Sequence, residues 1–355
     1  MKKILALLLT AVFVLGMAAC AASPAAPTQT TSDTASDASD TPASNAETPA
    51  ASSGAKLRFV TGGESGTYYA FGSVIAQHAT NNAGVDIVGL VGNGSQSNIF
   101  ELEDGNAELA FCQSDVMAYA YNGTNLFESP IDCFSTVAAL YMEDVQIVTT
   151  DPSIKTVADL AGKNVSVGAA GSGVYFNAVD ILSAYGLGDL DADGKFTKIN
   201  ATYQSFGDSA DSLKDGKIDA AFIVAGAPTT AIMDLSTTKA AYLVSLDDAH
   251  IDELLAASPY YTKHVIPAGT YNGQDEDVAT FGIKCLLCVS ENMDDDLVYE
   301  ITSILYENRD RLKDLHPALS YTAQSGFMFN DLPIELHAGA ERFYKEKGLL
   351  EEHSR

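Results

Sequence analysis

The sequence is poor in positive charge. Its 355 residues include 20 Lys and Arg against 47 Asp and Glu, which gives a formal net charge of −27. The sequence has no Lys or Arg between Phe59 and Ile154, and no Arg between Arg58 and Arg309. So acidic a surface repels phosphate backbones, and we expect no nucleic-acid partner.

The motifs of common catalytic and cofactor sites are also missing. The glycine-rich stretch TGGESGT lacks the GK[ST] ending of a phosphate-binding loop. The six histidines form no HxxH or HExxH pair, and no G-x-S-x-G elbow occurs in the sequence. We therefore expect no catalytic residues, no metal and no cofactor, in a protein that is not an enzyme.

Cysteine is scarce, with five residues in the chain. Cys285 and Cys288 lie in an apolar run from 283 to 289, which predicts a strand with the two sulfurs on opposite faces. This arrangement argues against a local metal or redox motif and favours buried thiols. A disulfide between Cys112 and Cys133 is an open alternative that the sequence does not decide.

The N-terminus has the pattern of a bacterial export signal. Lys2 and Lys3 precede an apolar run from 4 to 16, and small residues then lead to Cys20. This pattern resembles a lipoprotein signal peptide over residues 1–20, with Cys20 as the lipidated residue. The alternative is an ordinary signal peptide with a coincidental cysteine. Both readings predict an extracytoplasmic protein, and the first predicts a lipid anchor in the bacterial cell membrane.

Residues 21–55 have the composition of a tether. They consist almost wholly of Ala, Ser, Thr, Pro and Asp and contain no aromatic residue. Such a segment cannot bury enough apolar surface to offset the loss of chain entropy. We predict a disordered Ala/Ser/Thr/Pro tether, which spans roughly 30–35 Å as a random coil.

From residue 56 onward, strand and helix patterns alternate in two successive series. This rhythm predicts α/β structure, with parallel sheet and helices on its faces. We assign 56–147 and 280–355 to lobe I and 148–279 to lobe II, with a ligand cleft between them. CFSTVAALY and VQIVTT are predicted as two strands, and Asp294 to about Leu315 as one long helix.

Five predicted strand ends carry glycines or hydroxyl residues that lead into helices. Their sequences are TGGESGT, GNGSQSN, QSD, GAAGSG and VAGAPT. The first turn of a helix offers unpaired N–H groups and about half a positive charge, so an anion can bind there without Lys or Arg. The alternative is that the glycines only permit tight turns and the hydroxyls only cap helices.

These loops, in this order and followed by LVYEITSILYEN and LPIELHAGAERFYKEKGL, resemble the TAXI family of TRAP-transporter-associated solute-binding proteins. The resemblance covers roughly residues 57 to 350. It implies a two-lobed periplasmic-binding-protein fold of the two-crossover kind, type II. It also implies a receptor that delivers a small organic acid or amino acid to a permease driven by an ion gradient. Asn93 and Val174 depart from the family's usual pattern.

The resemblance also implies where the ligand binds. The family's ligand loops correspond to Thr61–Tyr69, Gly94–Asn98, Gln113–Asp115, Gly171–Gly173 and Gly226–Thr229. The predicted ligand-binding residues within them are Gly63, Gly66, Thr67, Tyr68, Ser95, Asn98, Gln113, Ser114, Asp115, Ser172, Gly173, Gly226, Pro228 and Thr229.

Some of these residues have a chemical role suggested by their side chains. Tyr68 is favoured over Tyr69 as an aromatic contact because it is closer to the glycine loop. Asp115 and Glu64 are the candidates to bind a ligand ammonium, and the ordinary alternative for Asp115 is a helix cap. Gln113 both donates and accepts hydrogen bonds, which suits a zwitterion.

Together these features predict a solute receptor that closes by hinges near Tyr141–Thr149 and Tyr271–Thr280. Because no Arg is present to clamp a dicarboxylate, a glutamate- or glutamine-like amino acid is favoured. The expected partners are the small solute, TRAP-type permease subunits and, through the lipid, the membrane. The alternatives are a receptor of an ATP-driven importer, a secreted enzyme on the same scaffold, and a structural surface antigen.

Overall fold

The computed structural model describes residues 56–83 and 85–350. The predicted signal peptide, Cys20 and the tether lie outside the described residues. No helix in the described ranges is both long and apolar enough to cross a membrane. The described residues belong to a single structural unit, so the assignment of 148–279 to a separate lobe stays a prediction.

The strands are rich in β-branched and aromatic residues, and those at the centre of the sheet are buried along most of their length. Those of the described residues are β1 (Leu57–Val60), β2 (Ile87–Leu90), β3 (Leu109–Gln113), β4 (Phe134–Thr149), β5 (Asn164–Ser166), β6 (Asn200–Thr202), β7 (Ala220–Ala225), β8 (Tyr242–Val244), β9 (Tyr261–Ile266) and β10 (Val278–Ser290).

Helices connect most of the strands. Those of the described residues are α1 (Thr67–Ala83), α2 (Ser95–Glu103), α3 (Ser114–Asn122), α4 (Gly173–Ala184), α5 (Phe206–Lys214), α6 (Thr230–Thr238), α7 (Asp248–Ala257), α8 (Asp295–Glu307), α9 (Arg309–Leu312) and α10 (Ala338–Glu346). Short 3₁₀ helices occupy Val157–Leu160 and Pro317–Ala323.

The strands form one sheet in the order β2-β1-β3-β10-β4-β7-β5-β6, with β8 paired to β4 and β9 paired to β10. The α/β prediction is confirmed, but the sheet is mixed rather than parallel. Strands at its two ends pair in parallel, as β1 does with β2 and β5 with β6. The antiparallel pairs arise at the centre, where β4 and β10 run in opposite directions through both halves of the sheet.

The prediction of two separate strands over 133–150 is wrong. β4 is one continuous strand from Phe134 to Thr149, and every residue in it is buried. The acidic pair Glu143 and Asp144 looked like a break between strands, yet both residues pair with β10 in the ladder. β4 then pairs with β7 from Asp144 onward, so the same strand serves both halves of the sheet.

The prediction of one long helix from Asp294 to about Leu315 is also wrong. α8 ends at Glu307, and the short helix α9 begins at Arg309. Asn308 lies between them, and its side-chain amide donates to the Ile304 carbonyl at 2.8 Å. Asparagine competes in this way for backbone groups and so favours a helix end.

The apolar core is divided into clusters that meet along β4 and β10. Two clusters draw on residues 57–141 and 285–350, and two others draw on residues 145–283. Phe176 of α4 is the exception, because it packs in a cluster with β3, α2 and α3. Its ring stacks between those of Tyr119 and Phe127, at centroid distances of 5.9 and 6.1 Å.

The four described cysteines are free thiols. Cys112 and Cys133 are therefore unpaired in this structure. Cys285 and Cys288 lie in β10, as predicted, and their side chains enter different core clusters on its two faces. Burial raises the pKa of both thiols well above the usual value, which makes them inert packing groups.

Candidate ligand-binding site

A cavity of about 440 Å³ opens at the strand ends. This volume lies in the range of about 300–1,000 Å³ that is usual for small-molecule sites. Loops from both parts of the core line it, that is from residues 57–141 and from residues 145–283. They include Gly62–Tyr68, Val91–Ser95 and Gln204–Asp208. The topology explains this, because ligands of α/β sheets bind beyond the carboxyl ends of the strands.

Four helices begin at the wall of the cavity. Thr67 of α1, Ser95 of α2, Gly173 of α4 and Phe206 of α5 are the first residues of their helices, and all four line it. Each helix start contributes about half a positive charge and unpaired N–H groups. The cavity therefore favours an anionic group even though no Lys, Arg or His in the described part of the chain lines it.

The starts of α2 and α4 lack a side-chain cap. Gly94 precedes α2 and has no side chain to offer, and Ser172 precedes α4 without accepting a capping hydrogen bond. Ser172 is buried, and its hydroxyl oxygen has no hydrogen-bond partner in the described structure. By contrast, Ser205 caps α5 by accepting from the Asp208 N–H at 3.2 Å. The starts of α2 and α4 are thus better anion sites than the start of α5.

Eight of the predicted ligand-binding residues line the cavity. They are Gly63, Gly66, Thr67, Tyr68, Ser95, Gln113, Ser172 and Gly173. Tyr68 lines it while Tyr69 does not, and the Tyr68 hydroxyl lies 3.3 Å from Ser95 Oγ. Ser95 Oγ also accepts from the Gln113 N–H at 3.1 Å, which ties three of the loops together. Direct ligand contact by these residues stays a prediction.

The other six predicted residues are placed outside the lining. They are Asn98, Ser114, Asp115, Gly226, Pro228 and Thr229. Asn98 is fully buried, and its amide donates to the carbonyls of Thr61 and Phe111 at 2.7 and 2.9 Å. Thr229 accepts a hydrogen bond from Gln146 at 2.9 Å. Asn98 and Thr229 thus stabilise the loops by hydrogen bonds outside the cavity lining.

Asp115 belongs to a buried polar chain next to the cavity. Gln113 donates to Asn177 Oδ1 at 3.0 Å, and Asn177 donates to Asp115 Oδ2 at 2.9 Å. The other carboxyl oxygen of Asp115 accepts from the Val116 N–H at 2.8 Å. Burial raises the pKa of Asp115 to about 7. Its contacts join β3 and α3 to α4.

Gly173 is required by close packing. A Cβ at this position would lie 1.4 Å from Gln113 Oε1 and 2.9 Å from Ser95 Oγ. Any larger residue would displace the Gln113 side chain or push the start of α4 away from the end of β3. Gly173 therefore lets helix starts from distant parts of the chain meet in one cavity.

Glu143 is the main site residue that sequence reasoning missed. It lines the cavity from the middle of β4 and is 2% exposed. Burial raises the pKa of its carboxyl group to about 8, although hydrogen bonding with Tyr68 and Cys285 opposes this rise. The signal was an acidic pair inside an apolar stretch, which was interpreted as the end of a strand.

Sequence reasoning also missed the loop from Gln204 to Asp208. It follows β6 and leads into α5, and it lines the cavity. The available signal was a Ser205 with an acidic residue three positions later, a pattern typical of a helix start. With this loop, the carboxyl groups that line the cavity are those of Glu64, Glu143, Asp208 and Asp211.

The lining includes no site suited to a metal ion. Among the described residues no group of three or more His, Cys, Asp or Glu is arranged to hold one. The cavity instead combines neutral donors at the helix starts with carboxylates elsewhere on the wall. Such a surface can bind a small molecule that carries both an anionic and a cationic group.

Several solved structures of transport proteins have a similar fold. One is the alkanesulfonate-binding protein SsuA from Xanthomonas axonopodis pv. citri bound to MOPS, with 15% identity, coverage of 82% of this chain and 83% of that chain, and a TM-score of 0.46. Another is a putative L-cystine ABC transporter from Listeria monocytogenes, with 16% identity and a TM-score of 0.46. The match covers 78% of this chain and 97% of that chain.

The family is shown by a sequence comparison. The model of the NMT1-like family matches residues 59–348, which span the strands, the helices and every loop of the cavity. The mixed sheet with two shared central strands is the periplasmic-binding-protein fold that the sequence predicts. The chain belongs to the NMT1-like family.

Proposed function

We propose that this protein is an extracytoplasmic solute receptor for a small amino acid with a carboxylate group. The observation that carries the proposal is the cavity itself, where four helix starts and a buried carboxyl group meet and where no Lys, Arg or His of the described residues lines the wall. The helix starts bind the ligand's carboxylate, and the acidic part of the wall faces its ammonium. A glutamate- or glutamine-like amino acid satisfies both.

A plain dicarboxylate fits the cavity less well. Two carboxylates would share the helix starts, while the carboxylates of Glu64, Asp208 and Asp211 in the lining would repel them. Arg is the usual bidentate partner for such a ligand, and none lines the cavity. The distribution of charge therefore favours a zwitterion.

Closure around the ligand is supported by contacts between segments that we assign to different lobes. The Ser97 N–H donates to the Gly171 carbonyl at 2.8 Å, and Thr67 Oγ1 donates to the Gly226 carbonyl at 3.2 Å. Phe176 inserts between two rings of the other segment. We infer that opening breaks these contacts and that the ligand stabilises them.

The receptor then delivers its ligand to a membrane permease. The resemblance to the TAXI family favours a TRAP-type permease, and the predicted lipid on Cys20 would keep the receptor at the bacterial membrane. The rival within the same class is a receptor of an ATP-driven importer. Deletion of each type of permease gene, followed by uptake of the labelled ligand, distinguishes the two.

A thermal-shift screen tests the ligand class. The purified protein is heated with each common amino acid and with dicarboxylates. A ligand at 100 times its Kd stabilises the folded state by about 2.7 kcal/mol, so Tm rises by several degrees. We expect glutamate- or glutamine-like amino acids to give this rise. Stabilisation by dicarboxylates and by no amino acid would contradict the proposed ligand.

A further inference from the structure

One carboxyl oxygen in the cavity has no partner. Glu143 is 2% exposed, and its Oε1 atom makes no hydrogen bond within the described structure. Leaving a buried polar atom unpaired is costly, so such atoms in folded proteins usually serve a purpose. Because Glu143 lines the cavity, a bound molecule can supply the missing donor.

Among the described residues, the groups that chiefly shift the pKa of this carboxyl group include no cation, although His264 of β9 pairs with the neighbouring Asp144. The groups that interact with it electrostatically or by hydrogen bonds are Tyr68 of α1, Cys112 of β3, Asp115 of α3, Tyr141 and Asp144 of β4, and Cys285 of β10. All of them are neutral or anionic at pH 7. Lys284 is the nearest basic residue along β10, but it pairs with Met142 and its ammonium donates to the Asn330 carbonyl at 2.8 Å.

The position of Glu143 excludes a simple surface role. It lies at the centre of β4, between Tyr141 and Val145, whose side chains belong to different core clusters. An apolar residue would pack there at less cost, because a buried carboxyl group loses its hydration. The carboxyl group is thus best explained by what it does for a ligand.

We propose that Glu143 binds the ligand's ammonium group and gives up its own proton to the solvent when it does so. This inference rests on the proposed function, since it assumes an amino acid in the cavity. The ligand arrives with its ammonium already protonated and keeps that proton. The only proton released comes from the Glu143 carboxyl group, and it passes to the buffer.

The direction of the pH effect follows from burial. Burial raises the pKa of Glu143 to about 8, so at pH 7 the empty receptor holds this carboxyl group mostly protonated and neutral. A ligand ammonium stabilises the carboxylate and drives the proton off. Affinity for an amino acid then rises close to tenfold per pH unit between about pH 5 and 7, and levels off above about pH 8.

A ligand without an ammonium behaves differently. An oxo acid presents a carbonyl oxygen where the amino acid has its ammonium, and that oxygen needs a donor. The protonated carboxyl group of Glu143 can donate to it, so binding releases no proton from Glu143. The affinity for an oxo acid stays flat below about pH 8 and falls above it.

Asp115 is the main rival source of a released proton. Burial raises its pKa to about 7, so it titrates over the same pH range. Its two oxygens already accept hydrogen bonds from Val116 and Asn177, and it does not line the cavity. Glu64 lines the cavity but is exposed. Separate substitution of Glu143, Asp115 and Glu64 shows which of them releases the proton.

Isothermal titration calorimetry of the full chain tests the proposal. L-glutamate and 2-oxoglutarate are titrated at pH 6, 7 and 8 in two buffers of different ionisation enthalpy, which counts the protons released. For the wild type we expect close to one proton per L-glutamate at pH 7 and none per 2-oxoglutarate. Glu143→Gln should abolish the release and weaken L-glutamate binding at pH 7 at least tenfold, with little change for 2-oxoglutarate.

Glu253→Gln is the matched control, since Glu253 is exposed on α7 and away from the cavity. It should keep the wild-type proton count. Unchanged proton release in Glu143→Gln, or its loss in Asp115→Asn or Glu64→Gln instead, would overturn the inference. If Glu143→Gln does not fold, a wild-type count near zero overturns it equally. Failure of the wild type to bind any amino acid would contradict the proposed function itself.

Discussion

Gln113 and Asn177 are joined by a hydrogen bond of 3.0 Å from the Gln113 side-chain amide to Asn177 Oδ1. The two residues are 64 positions apart, one at the end of β3 and the other inside α4. Asn177 passes the connection on to Asp115 by donating to its carboxyl group at 2.9 Å. This buried amide therefore fixes the start of α4 against two elements from the other side of the cavity.

Replacement of this amide should destabilise the protein. Asn177→Ala leaves the Gln113 amide and the Asp115 carboxyl group with fewer partners inside the structure, and unpaired buried groups cost about 1–3 kcal/mol. We expect the free energy of unfolding in urea to fall by that amount. Asn200→Ala is the control, because Asn200 is exposed and its side chain makes one long contact of 3.4 Å. Equal losses in both variants would contradict the role of Asn177.

Gly173→Ala should damage the cavity. The added Cβ would lie 1.4 Å from Gln113 Oε1, so either the Gln113 side chain must leave its place or the start of α4 must shift. We expect ligand affinity to fall at least tenfold, measured by calorimetry. Gly89→Ala is the matched control, since its nearest neighbours lie 4.0 Å from the added Cβ. Wild-type affinity in Gly173→Ala would show that the packing of α4 against Gln113 is not needed for binding.

The ring of Phe176 should contribute much of the free energy that holds the two sides of the cavity together. It is 4% exposed and stacks between Tyr119 and Phe127. Phe176→Ala removes a buried aromatic side chain, at a typical cost of about 3–5 kcal/mol. We expect that loss in urea unfolding, and a larger radius of gyration in small-angle scattering. Phe100→Ala, at a position that is 40% exposed, should cost far less. A loss below that of Phe100→Ala would refute the importance of the stacked ring.

The stability of the empty protein should fall as the pH rises. Burial raises the pKa of Asp115 to about 7 and that of Glu143 to about 8, so the folded state binds protons that the unfolded chain has already lost. Their stabilising contribution is complete below about pH 4 and is lost as the pH rises to about 8, by up to about 1.4 kcal/mol per pH unit and group.

Urea unfolding at pH 5.5 and 7.5 measures how the free energy of unfolding changes with pH. The free energy of unfolding should be lower at pH 7.5, and Glu143→Gln should reduce the difference. Asp247 has a pKa lowered to about 2, mainly by hydrogen bonding with Tyr185, so its contribution changes only at pH values below this window. A wild-type protein that is more stable at pH 7.5 would count against protonated, buried carboxyl groups.

Lipidation can be tested independently of the ligand. Cys20→Ser should move the protein from the membrane fraction to the soluble extracytoplasmic fraction after export. Mass spectrometry of the wild type should find acyl chains on Cys20. An ordinary signal peptide instead predicts the same soluble fraction for both proteins, with no lipid.

Much of the cavity wall was predictable from the sequence. Glycine and hydroxyl residues at strand ends mark candidate loops, and the resemblance to the TAXI family selects Gly66, Thr67, Ser95 and Ser172 within them, all of which line the cavity. Glu143 was not found, because a carboxyl group inside a strand carries no local signal of function. Only the pairing of β4 with β10 and β7 shows that the strand continues through this residue and buries it.

Asp115 illustrates the converse difficulty. Its place after a strand and at a helix start fits either a helix cap or a ligand contact, and the ligand contact stays a prediction. The structure buries its side chain against Asn177, a residue 62 positions away, which no local pattern indicates. Long-range packing decides which side of a loop faces the cavity, and single-sequence reasoning has no access to it.

The location of Glu143 on β4 has a consequence for evolution and for engineering. β4 is shared by both halves of the sheet, and the core changes from one cluster to another on either side of this residue. A mutation that adapts the carboxyl group to a new ligand therefore also alters the strand that connects the halves. We expect new specificities in this scaffold to arise more readily through the helix-start loops, and a fluorescent reporter of binding to respond best when placed beside this strand.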